Sequence, residues 1–170
     1  MAGRLANTFD FPVIYLDRLF WRPNWEKTPD DQFHEEVKSF IRQNDNWVID
    51  GNFRRIVGDL TFSSATCILW LDPPFALYFP RLVIRTFLRL IGVAPPCSPG
   101  CGETLSNVFS WGKKSIIWWC WNEHIPQRKF CTTEMQQPGE DKGGKWIRLG
   151  GWRGEVNAWL KQVEMFAKRR

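Results

Sequence analysis

The chain lacks an apolar run long enough to cross a bilayer. A spanning helix needs about 20 consecutive apolar residues. The longest candidate, about 82–96, is cut by Arg85, Arg89, Pro95 and Pro96. Residues 1–10 have no apolar core of the kind a secretory signal carries, so export is not expected. Cysteine is sparse and odd in number: Cys67, Cys97, Cys101, Cys120 and Cys131. Without an export signal, that pattern points to reduced thiols in the cytosol. A zinc lid would have to combine Cys97-x3-Cys101 with Cys120, His124 and Cys131. The spacing is irregular and a second Cys-x2-Cys is absent, so no zinc is expected. Basic residues are scattered. The one dense group, Lys168-Arg169-Arg170, reads as a solvated helix end, where cations suit the helix dipole. A net charge of +5 fits an anionic ligand. No groove-reading motif accompanies it, so neither nucleic acid nor membrane is expected as a partner. No internal repeat stands out.

What is present is core-forming material. Hydrophobic residues make up 44% of 170, and 11 are tryptophan. One domain, 1–170, is expected, with a helical insertion about 92–125 and a flexible loop about 132–144. Three short apolar runs each end in aspartate: Val13-Ile14-Tyr15-Leu16-Asp17, Trp47-Val48-Ile49-Asp50 and Cys67-Ile68-Leu69-Trp70-Leu71-Asp72. Runs without alternation read as strands buried on both faces, hence a parallel sheet. Ligands bind at the carboxyl ends of such strands. Three carboxylates there predict a polar cleft, one that suits a metal-bound phosphate.

Residues 2–8 read as the back end of a helix, with Leu5 and Ala6 inward, before a strand at 13–16. A loop spans 18–27. Thr28 is expected to cap the next helix, with Pro29 first in it and Asp30 and Asp31 in its opening turn. Phe33, Val37, Phe40 and Ile41 form its apolar stripe, and Asn44-Asp45-Asn46 ends it. Strands follow at 47–49 and 66–71, separated by the turn Asp50-Gly51-Asn52-Phe53-Arg54-Arg55. A helix over about 75–91 places Arg81, Arg85 and Arg89 on one stripe. After a Pro- and Gly-rich loop at 92–104, a helix is predicted over about 105–122. Its Ile116, Ile117, Trp118, Trp119 and Trp121 fit core, or a cover over the cleft, better than a stacking platform for bases. A strand at 145–149 and an amphipathic helix with Val156, Trp159, Leu160, Val163 and Phe166 on one face complete the chain. Strands alternating with helices predict an α/β fold with a parallel sheet.

Phosphoryl transfer needs backbone N–H groups around the phosphates, a magnesium ion and cationic clamps. Asp50, just past a strand, can hold magnesium through water. Arg81, Arg85 and Arg89 can neutralise phosphate oxygens. Arg54 and Arg55 can grip the phosphate of an acceptor, and Asp17 and Arg18 can meet that acceptor at the end of the first strand. Asp72 is read as a cap on the arginine helix.

The segments Val13–Trp25 (VIYLDRLFWRPNW), Trp47–Phe53 (WVIDGNF) and Ile68–Asp72 (ILWLD), with Arg81 and Arg85 beyond, resemble the adenylate-kinase-like P-loop kinases, above all the topology modulation protein group. Pro99–Glu103 and Trp146–Leu160 are similar too. The resemblance implies a three-layer α/β/α P-loop fold with a helical lid, and ATP- and Mg2+-dependent phosphorylation of a nucleotide or other small acceptor. It also implies roles. Asp50 is the magnesium-linked catalytic residue. Arg81, Arg85 and Arg89 are catalytic cations beside and within the lid. Asp17, Arg18, Gly51, Asn52, Arg54 and Arg55 bind the acceptor. The chain departs from the family twice. It has no GxxxxGK[ST], its first helix standing where the helix after that loop belongs. Gly92–Cys97 replaces the basic residues of the lid. The expectation is therefore an N-terminally truncated kinase fold, inactive as it stands and with a strand edge left unpaired. A non-catalytic nucleotide- or protein-binding descendant and a nucleic-acid-associated protein are the alternatives.

Overall fold

A computed structural model of the chain describes residues 1–103, 115–136, 144–151 and 154–169. Over these residues the structure is mixed α/β, with helices α1 (Ala2–Phe9), α2 (Leu16–Phe20), α3 (Asp30–Gln43), α4 (Arg54–Ser64), α5 (Phe75–Leu90), α6 (Ile116–Gln136) and α7 (Glu155–Ala167). The strands are β1 (Val13–Tyr15), β2 (Trp21–Arg22), β3 (Glu26–Lys27), β4 (Val48–Asp50), β5 (Ile68–Leu71) and β6 (Trp146–Leu149). They pair two by two: β1 with β4 and β5 with β6 in parallel, β2 with β3 antiparallel. The chain divides into two compact units. One comprises Met1–Ala65, Cys97–Cys101 and Asn157–Arg170; the other comprises Thr66–Pro96 and Gly102–Val156.

In the first unit, β1 and β4 run side by side with Val13 opposite Val48, Ile14 opposite Ile49 and Tyr15 opposite Asp50. Both strands are half-buried rather than enclosed on two faces. A two-stranded sheet gives each strand only one ladder neighbour, so the expected double burial is not reached. The core is helical: Leu16, Phe20, Phe33, Val37 and Val57 are buried, with Ile14, Ile49 and Phe53 packed against them. The Phe33 stripe thus faces inward as its spacing predicts. Phe20 meets Phe33 edge-on at 5.3 Å between ring centres, and Phe53 tilts against Phe20 at 4.7 Å and Phe33 at 5.0 Å. Burying each such side chain stabilises by about 1.5–3 kcal/mol. Helix α4 is not expected from the sequence pattern, which marks only the turn before it. Its signal was Val57 with Ile56 and Leu60, interrupted by Gly58. The expected loop at 18–27 also carries structure, namely the end of α2 and the short β2–β3 hairpin. Thr28 does not cap α3. Pro29 holds that place, and the buried Thr28 hydroxyl donates to the Leu19 carbonyl at 2.8 Å. Helix α1 packs on β1 and β4 and is joined to α7 by Arg4, which pairs with Glu164 at 2.6 Å.

In the second unit, the β5–β6 ladder aligns Ile68 with Trp146 through Leu71 with Leu149. Asp72 follows β5 directly and is buried, but it caps no helix; Pro74 occupies the cap of α5 without a side-chain bond. The Asp72 carboxylate instead accepts both Nε (2.9 Å) and Nη2 of Arg148 and lies 3.3 Å from Nε of Arg128. Arg148 also lies over the Trp70 ring at 4.9 Å. A carboxylate removed from water needs such partners, and two guanidiniums supply them.

Of the predicted helix over about 105–122, residues 105–114 lie outside the described residues; α6 covers its remainder from Ile116 and continues beyond 122. It runs to Gln136, over the start of the predicted 132–144 loop; residues 137–143 are likewise outside. Polar side chains along α6 bond back to its own backbone. Asn122 donates to the Trp118 carbonyl, Thr132 to that of Arg128 and Thr133 to that of Lys129. Trp118, Trp119 and Trp121 are 45%, 55% and 59% exposed, so they do not form core. Phe166 of α7 is exposed as well, whereas Leu160 is buried as its face predicts.

Replacing Asp72 by alanine removes both arginine partnerships and is expected to cost about 2 kcal/mol. Arg128→Ala, at the half-exposed contact, is expected to cost less than about 1 kcal/mol. Urea denaturation midpoints of the two variants at unchanged slope check the order.

Candidate functional site

Strand β1 passes into α2 without an intervening loop, because Tyr15 is both the last strand residue and the helix cap. Leu16 is therefore driven into the core while the next two side chains, Asp17 and Arg18, stay at the surface. Arg18 does not extend freely. Its guanidinium lies 5.0 Å from the centre of the Tyr15 ring. Asp50 ends β4 in register with Tyr15 and is exposed.

The turn after Asp50 is shaped by Gly51. Its φ is +137°, a conformation closed to most side chains, and a Cβ there would stand 2.7 Å from the Leu16 Cβ. The backbone can pass close to Leu16 only because this residue has no side chain. Asn52 remains exposed, Phe53 dips into the core, and α4 then opens on Arg54 and Arg55. Two cations and no acid in the first turn oppose the helix dipole. An anion placed there would relieve both. Asp17, Arg54 and Arg55 each already take part in interactions of their own.

Seven of the sequence-predicted residues thus share one unit: Asp17, Arg18, Asp50, Gly51, Asn52, Arg54 and Arg55. The other three, Arg81, Arg85 and Arg89, lie on α5 of the other unit. Arg81 and Arg85 are exposed and Arg89 half-buried. Arg89 donates through Nε to the Pro95 carbonyl at 3.1 Å, so part of this stripe serves to hold the chain that leaves the helix. Glu103 lies within the field of Arg89 and Arg85. Burial nevertheless pushes its carboxyl above the usual range, against the pull of those two arginines.

Cys120 and His124 take part in a different arrangement, with Tyr78. Tyr78 Oη and His124 Nδ1 are 2.8 Å apart, and Cys120 is buried beside Tyr78. Burial raises the Tyr78 phenol far above its ordinary value, with Cys120 and Asp72 adding to the shift. Burial likewise raises the Cys120 thiol, partly offset by Tyr78. A thiol held in its protonated form is a poor nucleophile. Tyr78 was invisible from sequence because nothing in its helical spacing marks it.

Magnesium commonly takes one or two carboxylates and completes its shell with water and phosphate oxygens. Asp50 fits as a single such carboxylate. Among the described residues no group of three or more His, Cys, Asp or Glu could hold a metal ion by itself. The sequence has no GxxxxGK[ST], the loop that in P-loop proteins supplies an N–H cradle and a lysine to the phosphates of ATP. Among the described residues no helix is long and apolar enough to cross a membrane. No family model, curated protein or solved structure matches the chain.

Two expectations follow. Gly51→Ala must force a Cβ onto Leu16 at an unfavourable φ and is expected to lower stability by about 2–4 kcal/mol, read from a thermal or urea transition. Glu103 holds its proton more tightly folded than unfolded, so unfolding releases it. Its contribution to stability is greatest below the unfolded value and falls as pH rises toward the folded one. Glu103→Gln is therefore expected to raise the melting temperature at pH 7 and leave it unchanged near pH 3.5.

Proposed function

We propose that the chain binds a small phosphorylated molecule, a nucleotide being the favoured class, at the carboxyl ends of β1 and β4. In this reading it descends from nucleotide or small-molecule kinases of the adenylate-kinase-like group. These 170 residues do not by themselves transfer a phosphoryl group. The observation that carries the reading is the turn from Asp50 to Arg55. An exposed carboxylate, a backbone pressed close to Leu16 and two arginines at a helix start follow one another within six residues.

Arg54 and Arg55 hold the ligand's phosphate, with the α4 N–H groups adding to the attraction. Asp17 and Arg18 contact the remainder of the ligand, the stacked Tyr15 ring limiting where the Arg18 guanidinium can swing. Asp50 holds magnesium through water when a nucleotide brings one. The ion would spread phosphate charge. Arg81, Arg85 and Arg89 are assigned to the kinase ancestry rather than to a working clamp, because Arg89 is committed to Pro95 and Glu103 faces two of the three. The odd set of five cysteines supports a reducing compartment, the cytosol, in this reading.

Calorimetric titration with AMP, GMP, CMP and UMP in the presence of Mg2+ tests this. Saturable binding of at least one is expected, weakened at least tenfold by the double change Arg54→Glu and Arg55→Glu. No product is expected when ATP is added. If no monophosphate saturates the protein, or if turnover appears, the corresponding half of the reading is lost. Salt-dependent duplex binding without monophosphate binding would replace it with a nucleic-acid role.

A further inference from the structure

The β2–β3 hairpin is an awkward structure to hold on its own. Its two strands have two residues each, with Trp21 opposite Lys27 and Arg22 opposite Glu26. Its tip, Pro23–Trp25, contains two consecutive non-glycine residues in the left-handed region, Asn24 at φ +62° and Trp25 at φ +60°. Side chains rarely adopt that conformation singly, and two in succession need support from outside the hairpin.

The support comes from far along the chain. Residues Cys97–Cys101 belong to the same unit although the segments on either side of them do not. Three hydrogen bonds fasten them to the hairpin. The Asn24 N–H donates to the Gly100 carbonyl at 3.0 Å, the Ser98 hydroxyl to the Trp21 carbonyl at 2.8 Å, and the Cys101 thiol to the Arg22 carbonyl at 3.1 Å. Ser98 is 2% and Cys101 0% exposed, so the segment is seated and not merely adjacent. Gly100 is the point of closest approach. At φ +76°, a Cβ on it would stand 2.8 Å from Pro23 Cβ and 3.1 Å from Pro23 Cα. The segment closes on itself through Cys101 N–H to the Ser98 carbonyl at 3.0 Å.

We propose that residues 97–101 are a detachable strap: seated, they hold the 21–27 hairpin in its strained form, and displaced, they free it. The hairpin base is anchored separately, since Thr28 N–H donates to the Phe20 carbonyl at 2.8 Å and its hydroxyl to Leu19. Release therefore loosens the tip while leaving the core intact. Only the anchored Leu19 and Phe20 separate the hairpin from Asp17 and Arg18, so the strap sets the mobility of the chain beside the acceptor-side residues rather than of those residues themselves. That consequence rests on the function proposed above; the strap itself does not.

Residue-resolved hydrogen exchange on the free protein tests it, with no ligand involved, so a failed monophosphate titration leaves the result unaffected. Gly100→Ala is expected to speed exchange at the Asn24 amide at least tenfold and leave the Thr28 amide and the amides of α3 and α4 at their wild-type rates. Gly102→Ala, where a Cβ meets nothing within 4 Å, is expected to change none of these. Ser98→Ala adds no volume, and serves if the first variant folds poorly; it is expected to give a smaller acceleration in the same amide. Peptide-resolved alkylation with iodoacetamide gives a second reading. Cys101 is expected to label faster in Gly100→Ala, while exposed Cys67 labels at the same rate in both proteins. Unchanged Asn24 exchange in both strap variants, or an acceleration spread equally over α3 and α4, would overturn the proposal.

Discussion

The burial of Leu16 is the constraint on which the rest of the first unit depends. It is the residue at which β1 stops being a strand, and its 1% exposure fixes the phase of α2. Once it points inward, Asp17 and Arg18 must point out, Phe20 must join Phe33 and Phe53, and the chain after β4 must pass so close that only Gly51 serves. A single apolar side chain thus sets the positions of two carboxylates and of the turn that leads to Arg54 and Arg55. None of these polar groups places itself. Each is carried there by packing that costs water contact elsewhere and is offset by the aromatic cluster beneath.

The elements legible from sequence are those whose local signals and burial agree. The apolar runs before Asp17, Asp50 and Asp72 are strands within a residue or two, and the Phe33–Val37 stripe is core because its period and its environment coincide. Legibility fails where a local signal has a competing use. Thr28 looks like a cap, but its hydroxyl finds the Leu19 carbonyl, a partner nine residues back that no local pattern marks. Asp72 looks like a cap for the same reason and is taken by arginines 56 and 76 positions away. The polar run from Thr132 looks like a loop, yet Thr132 and Thr133 bond to the preceding helical turn. Four of the six strands among the described residues were legible, but neither the β2–β3 hairpin nor the pairing was: a parallel sheet read from apolar runs carries no information about how many neighbours each strand obtains.

The candidate site was legible in part for a related reason. Residues close in sequence to a strand end stay close in space, so Asp17, Arg18 and the Asp50–Arg55 turn fall in one unit. The arginine stripe is correct as a stripe, since helical spacing alone fixes it. Its engagement with Pro95 and Glu103 depends on where the following loop folds back. Tyr78 and Ser98 were missed because their partners, His124 and the Trp21 carbonyl, are remote and their own neighbourhoods are unremarkable.

The parallel pairing of β1 with β4 and of β5 with β6 bears on the order in which the molecule can form. Val13 meets Val48 in one pair and Ile68 meets Trp146 in the other, so the second closes a loop about twice as long. The extra closure entropy is about 0.6–0.7 kcal/mol, small against the packing that must precede it. A parallel pair has no hairpin to zip from; its strands find each other only after the intervening helices have condensed. The carboxyl ends of β1 and β4 are therefore late products of folding, aligned only once Leu16, Phe33 and Val37 have met. A chain emerging from synthesis has this surface in order only after β4 is out, and all five of its cysteines, which follow β4, emerge later still.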